Sequence, residues 1–185
     1  MSMASETTPA DMSHHERYTD AEIRQVLDET KSVAMVGASA NPARPSFLVL
    51  KYLLSKGYRV FPVNPGLAGK EILGQTVHAS LADIPEPVDM VDIFRNSEAA
   101  LGVTKEALAL TPKPKVVWMQ LSVRNDEAAR LAEAEGVTVI MNRCPKIEYG
   151  RLSGEIGWTG VNSRTLSSKR PALRSGFQHR GLRKE

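Results

Sequence analysis

Ser32-Val33-Ala34-Met35-Val36-Gly37-Ala38-Ser39-Ala40-Asn41-Pro42-Ala43-Arg44-Pro45-Ser46 is the stretch that decides the fold. Val33 to Val36 is a continuous apolar run, as expected of a strand covered on both faces. It ends in Gly37-Ala38-Ser39, and Pro45 or Ser46 then opens a helix carrying Leu48, Leu50, Tyr52, Leu53 and Leu54, closed by Gly57. Strand, tight turn and helix in that order form the opening unit of a nucleotide-binding α/β domain. What the turn lacks is equally informative. A dinucleotide fingerprint uses three glycines, for the turn itself, for approach to a pyrophosphate and for helix–strand packing. Only Gly37 is present, Ser39 and Pro42 interrupt the pattern, and Arg44 follows. The turn suits a phosphate-bearing ligand, held otherwise than in the standard NAD manner.

Outward from that unit the same alternation recurs. Thr19-Asp20-Ala21-Glu22 has capping-box spacing and predicts a helix over about 20–30. Tyr58 to Val63 reads as a strand ending at Asn64-Pro65-Gly66, a strong turn signal. A loop to about Val77 and a short helical piece near Ser80 to Ile84 follow. Strands are expected at Val88–Phe94, Val116–Leu121 and Val137–Met141, with helices at Ser97–Leu110 and Asn125–Glu135. Strands separated by helices mean βαβ units, hence a mostly parallel, doubly wound sheet flanked by helices in one domain.

In such sheets ligands bind beyond the carboxyl ends of the strands, where the strand order reverses. The candidates are therefore Gly37, Ala38 and Ser39, then Pro62, Val63, Asn64 and Pro65, then Phe94 and Arg95, and finally Met119 and Gln120. Free N–H groups at the start of the Pro45 helix favour an anion, Ser39 and Ser46 offer hydroxyls, and Arg44 offers a guanidinium. An NAD enzyme would carry an acid near the end of the second strand to read the ribose. Here no acid follows Pro62-Val63-Asn64-Pro65 until Glu71, and Lys70 is placed to meet a phosphorylated ribose. NADP and coenzyme A both remain open on this argument.

The bulk properties are those of a globular protein: 185 residues, 42% hydrophobic and 24% charged, enough for one self-sufficient core. No apolar run reaches the roughly 20 residues of a membrane span. Residues 1–18 are expected to be a disordered polar leader without a signal-peptide core, and residues 19–163 the folded domain. A lone cysteine, Cys144, rules out an internal disulfide framework and suits a cytoplasmic setting. The net charge of +3 belongs to residues 164–185, which hold seven of the 24 basic residues and one of the 21 acidic ones. The rest of the chain is mildly acidic. The tail is expected to be disordered, and nucleic acid is a candidate partner for it alone.

Val36-Gly37-Ala38-Ser39, Asn41-Pro42, Arg44-Pro45-Ser46, Pro62-Val63-Asn64-Pro65, Asp92-Ile93-Phe94-Arg95, Val117-Trp118-Met119-Gln120-Leu121 and Arg143-Cys144-Pro145-Lys146-Ile147-Glu148 together resemble the small stand-alone CoA-binding proteins. Their domain is similar to the N-terminal CoA-binding domain of the succinyl-CoA synthetase α subunit. The resemblance covers about residues 20–160. It implies a Rossmann-like domain holding coenzyme A or an acyl-CoA, with the phosphates near the Gly37 turn and the adenine among the strand-end loops. A homo-oligomer is compatible with it.

Catalytic machinery is not evident. The histidine that carries a phosphoryl group in the synthetases lies in a second domain, and His14, His15, His78 and His179 have no neighbouring constellation of an activated base. No metal site is expected, since no His/Cys/Asp/Glu cluster has ligand spacing. Asp89 and Asp92 are three apart in a strand and point to opposite faces. Trp118 reads as core, and Glu148 as a local partner of Arg143 or Lys146. Cys144, between those two cations, is a candidate redox thiol that could pair with the CoA thiol, provided the cations lower its pKa. The leading reading is a CoA-binding carrier, sensor or regulatory module. An NADP-dependent reductase and a nucleic-acid-associated protein are the alternatives.

Overall fold

The structure, a computed structural model, describes residues 11–155. Its elements are α1 (Asp20–Glu29), β1 (Ser32–Val36), α2 (Pro45–Ser55), β2 (Arg59–Val63), β3 (Glu71–Ile72), β4 (Gln75–Thr76), β5 (Met90–Ile93), α3 (Ser97–Leu108), β6 (Val116–Met119), α4 (Asp126–Ala134), β7 (Thr138–Ile140) and α5 (Pro145–Leu152). Five strands form one parallel sheet in the order β2-β1-β5-β6-β7. From β1 the chain first moves outward to β2, then returns past β1 to β5. The strand order therefore reverses between β1 and β5, and the crevice above that point is the expected ligand position.

Period-2 alternation along each strand divides the core into two layers. Val33, Met35, Met90 and Trp118 face α1, α2 and α5 on one side. Ala34, Val91, Ile93, Val117 and Met119 face α3 and α4 on the other. Both faces are covered, which explains why these strands read as unbroken apolar runs. Thr19 and Glu22 make the reciprocal capping box at the start of α1, at 3.2 and 2.7 Å. Asn96 and Asn125 cap α3 and α4 through their side-chain oxygens. The expected α/β architecture is thus present.

Three regions differ from the sequence reading. The expected loop before Val77 contains the β3–β4 hairpin, turned by Leu73 and Gly74, both at positive φ. The segment after Arg143 forms α5. The leader is not loose throughout: Ser13–His15 makes a 3-10 turn, with Met12 buried in the core and His15 buried beside it. An apolar side chain at residue 12 and a ring at residue 15 anchor a segment that composition alone marks as polar. The basic tail lies outside the described residues.

Candidate functional site

A cavity of about 700 Å³ opens above the carboxyl ends of β5 and β6, beside the point where the strand order reverses. Pro45, Leu48, Val49 and Tyr52 of α2 form one wall, and Cys144, Lys146, Ile147 and Gly150 of the α5 segment form the opposite one. Phe94 and Arg95 come from the end of β5, and Gln120, Leu121 and Val123 from the end of β6. The lining is mainly apolar. Its cations are Arg95 and Lys146; its one acid, Glu155, is engaged by the Tyr52 hydroxyl at 2.8 Å and by the Lys56 ammonium.

Both walls begin with proline at the first helical position. A proline spends no N–H there, and its fixed φ suits the first turn. Neither α2 nor α5 has a side-chain cap, unlike α1, α3 and α4. Two helix starts with uncapped N–H groups thus bound one cavity, and their dipoles favour negative charge at its edge.

The turn leading into α2 is held rigidly. Gly37 has φ +92°, and a Cβ added there would stand 2.8 Å from the Phe94 carbonyl oxygen. No other residue fits both demands. The Gly37 and Ala38 N–H groups donate to the Val63 carbonyl at 2.9 and 3.3 Å, so they hold β1 to β2 and are not free for an anion. The Ser39 hydroxyl accepts from Asn41 N–H at 3.2 Å, and Asn41 Oδ1 accepts from Ala43 N–H at 2.9 Å. Those turns deliver Arg44, exposed, to the N-cap of α2, and Ser46, buried, to its first turn.

The expected site residues therefore separate into groups. Pro45, Phe94, Arg95 and Gln120 line the cavity, and Gly37 and Arg44 adjoin it through the turn. Pro62 and Val63 are buried in β2. Asn64 is engaged at both ends of its amide: Nδ2 donates to the Ala38 carbonyl at 2.8 Å, and Oδ1 accepts from Gly66 N–H. It secures the crossover and does not line the cavity. Pro65 and Lys70 are exposed in the adjoining loop. Met119 is corrected: alternation places it on the α3/α4 face, fully buried, while Trp118 and Gln120 face the cavity side.

Beneath the cavity lies Asp92, with no exposed surface, paired in register with Met35 and Trp118. Burial pushes its carboxyl up to about 8, against the opposing effect of the Gln120 amide, which donates to both carboxyl oxygens at 2.9 and 3.1 Å. Asp89 occupies the other end of the strand, where it accepts from the N–H groups of Lys31 and Ser32 and pairs with Lys115. Trp118 is core as expected, and its indole N–H donates to the Arg143 carbonyl at 2.8 Å.

One further expectation is corrected and another is refined. Arg143 and Lys146 do not activate Cys144. Burial outweighs them and pushes the thiol up to about 11, so the expected ground for its redox reactivity is absent. Glu148 pairs chiefly with Arg151, at 2.7 Å, while Arg143 is 4.0 Å away. Helical spacing explains the difference, since i and i+3 share a face.

Sequence reasoning missed most of the α2 and α5 walls: Leu48, Val49, Tyr52, Ile147 and Gly150. Pro145 at a helix start was the available signal. It also missed a cluster on the opposite layer, where His14, His15 and Glu133 each bring one ligand-type atom to within 4.8 Å of the others. Glu133 is 119 residues from His14, so spacing could not show it.

Residues 31–150 match the family model described as CoA binding domain. Over 129 residues the chain is 40% identical to the uncharacterized protein YneT of Bacillus subtilis (strain 168), covering 70% of this chain and 93% of that one. It is 38% identical over 73 residues to the α subunit of the ADP-forming acetate–CoA ligase I of Pyrococcus furiosus, covering 37% of this chain and 16% of that one. Among solved structures, a hypothetical protein from Pyrococcus horikoshii OT3 superposes with a TM-score of 0.70 at 38% identity, over 82% of this chain and all of that one.

Proposed function

The chain belongs to the CoA-binding domain family, and from that premise we propose that the cavity above β5 and β6 holds coenzyme A or an acyl-CoA. One observation carries the reading: the cavity joins a mainly apolar trough to a rim of cations and uncapped helix starts. Coenzyme A has the same two-part chemistry, a polyanionic nucleotide end and a long uncharged arm ending in a thiol. Arg44, Arg95 and the N–H groups at the start of α2 face the phosphates in this reading. Leu48, Val49 and Ile147 line the arm, and Lys70 is the candidate for the ribose phosphate. Among the described residues none of Arg44, Arg95 and Lys146 has a carboxylate within 4 Å, so each is available to an anion.

The protein acts in this reading as a carrier, sensor or regulatory module. The support is that Asp92 is sealed behind Gln120 and Cys144 is held as a thiol, so neither presents a charged nucleophile to the ligand at neutral pH. Calorimetric titration of the full chain with CoA, acetyl-CoA and NADPH tests the proposal. Saturable binding of the CoA species with little response to NADPH is expected. Binding of NADPH alone, with turnover of a carbonyl substrate, would replace the reading with a reductase.

A further inference from the structure

The N-terminal segment and α4 meet at a cluster that CoA binding does not use. His14 Nε2 lies 3.0 Å from Glu133 Oε1, and His15 Nε2 lies 3.1 Å from the same oxygen. The two imidazoles are tilted 40° to one another, with centroids 3.9 Å apart. The His15 side chain has no exposed surface, yet its Nε2 has no hydrogen-bond partner among the described residues. The approach to Glu133 lacks the alignment that a hydrogen bond needs. A buried polar atom left in this state is costly, and each such case calls for an explanation.

Coordination supplies one. Two imidazole nitrogens and one carboxylate oxygen are a ligand set that zinc accepts, with bonds of about 2.0–2.2 Å. Three donor atoms within 4.8 Å of one another can converge on one ion and leave a position for water. A metal between misaligned donors sits off the line joining them, as the His15–Glu133 pair allows. The other nitrogen of His15 is also held. Nδ1 lies 2.8 Å from the Tyr18 hydroxyl, whose oxygen accepts from Met141 N–H at 2.8 Å. With Nδ1–H donating to that oxygen, as the far nitrogen of a ligand histidine does, the ring is oriented and Nε2 keeps its lone pair.

We propose that His14, His15 and Glu133 form a site for a divalent transition-metal ion of the zinc type, which fastens residues 12–18 to α4. The site shares no lining residue with the sheet-end cavity, so the inference stands apart from the CoA reading. Its role is structural: the ion closes the long connection between the N-terminal segment and Glu133 around the buried Met12.

The test is titration of the chelator-stripped full chain with Zn2+ alone, followed by calorimetry, with Co2+ as the optical probe. One equivalent should bind, Co2+ should show the strong visible bands of a four-coordinate site, and the melting temperature should rise with free metal. Because His15 is buried, His14→Ala and Glu133→Gln are the informative variants. Each should weaken Zn2+ by at least tenfold, and Tyr18→Phe by roughly 10–100-fold through loss of ring orientation. Absence of stoichiometric binding would overturn the proposal. So would unchanged affinity in both ligand variants, or loss of binding in His78→Ala or His179→Ala instead.

Discussion

The cavity layer and the N-terminal corner each bury a polar titratable group, Asp92 and His15, and in each burial favours the neutral form. Asp92 lies under the cavity, where desolvation raises its carboxyl to about 8. His15 lies against α4, where desolvation lowers its imidazole. The same cost, that of placing charge in a poorly hydrated interior, moves an acid up and a base down. The two groups differ in what satisfies them. Asp92 has both oxygens met by Gln120, whereas His15 keeps one nitrogen unmet. The contrast teaches that a satisfied buried group belongs to the scaffold of a site, while an unsatisfied one points to a missing partner.

The largest expected effect breaks the scaffold of the cavity itself. Gly37→Ala forces a Cβ to within 2.8 Å of the Phe94 carbonyl oxygen at φ +92°, and should cost about 2–4 kcal/mol in denaturant unfolding. A loss below about 1 kcal/mol would mean that the turn yields and is not a fixed strut.

Next comes the pH response of Asp92. Its folded pKa is raised above the unfolded value, so its stabilising contribution is complete below about 4 and is lost as pH rises toward 8. The slope approaches about 1.4 kcal/mol per pH unit within that window. Asp92→Asn, isosteric with the neutral acid, should flatten the decline between pH 6 and 8 when unfolding is followed at both values. An unchanged decline would assign the pH response to other groups.

A third variant asks whether the cationic rim binds as the cavity reading requires. Arg44→Ala should weaken CoA by roughly 1.5–3 kcal/mol, through loss of a charge-assisted phosphate contact. Unchanged affinity in calorimetry would remove Arg44 from the site. The smallest effect sharpens the corner: Tyr18→Phe removes the hydroxyl shared by His15 and Met141 and should cost about 1 kcal/mol of metal-free stability. A neutral result there would show that this hydroxyl does not help to hold the segment.

How much was legible follows from the range of each interaction. The crossover from Ser32 to Ser46 was readable because strand, turn and helix start are all encoded within fifteen neighbouring positions. Arg95 and Gln120 were readable because strand ends in a parallel sheet point to one edge. Met119 was misassigned by a single step of the alternation, which moves a side chain to the opposite face. The α5 wall was missed because its pattern is weak: Lys146, Glu148 and Arg151 dilute the apolar spacing, and Gly150 interrupts a helix that tertiary packing nevertheless holds. The redox reading of Cys144 fails, and its packing in a buried loop holds, because adjacency to cations is visible in a sequence and the depth of burial is not. The histidine corner depends on a contact between distant segments, which local spacing does not record.

A crystal structure of the full chain with bound CoA tests the central claim most directly. The account predicts phosphates against the start of α2 within reach of Arg44 and Arg95, and the pantetheine arm running between Leu48 and Ile147. Nucleotide seated at another surface, with the space between α2 and α5 empty at saturating CoA, would contradict it.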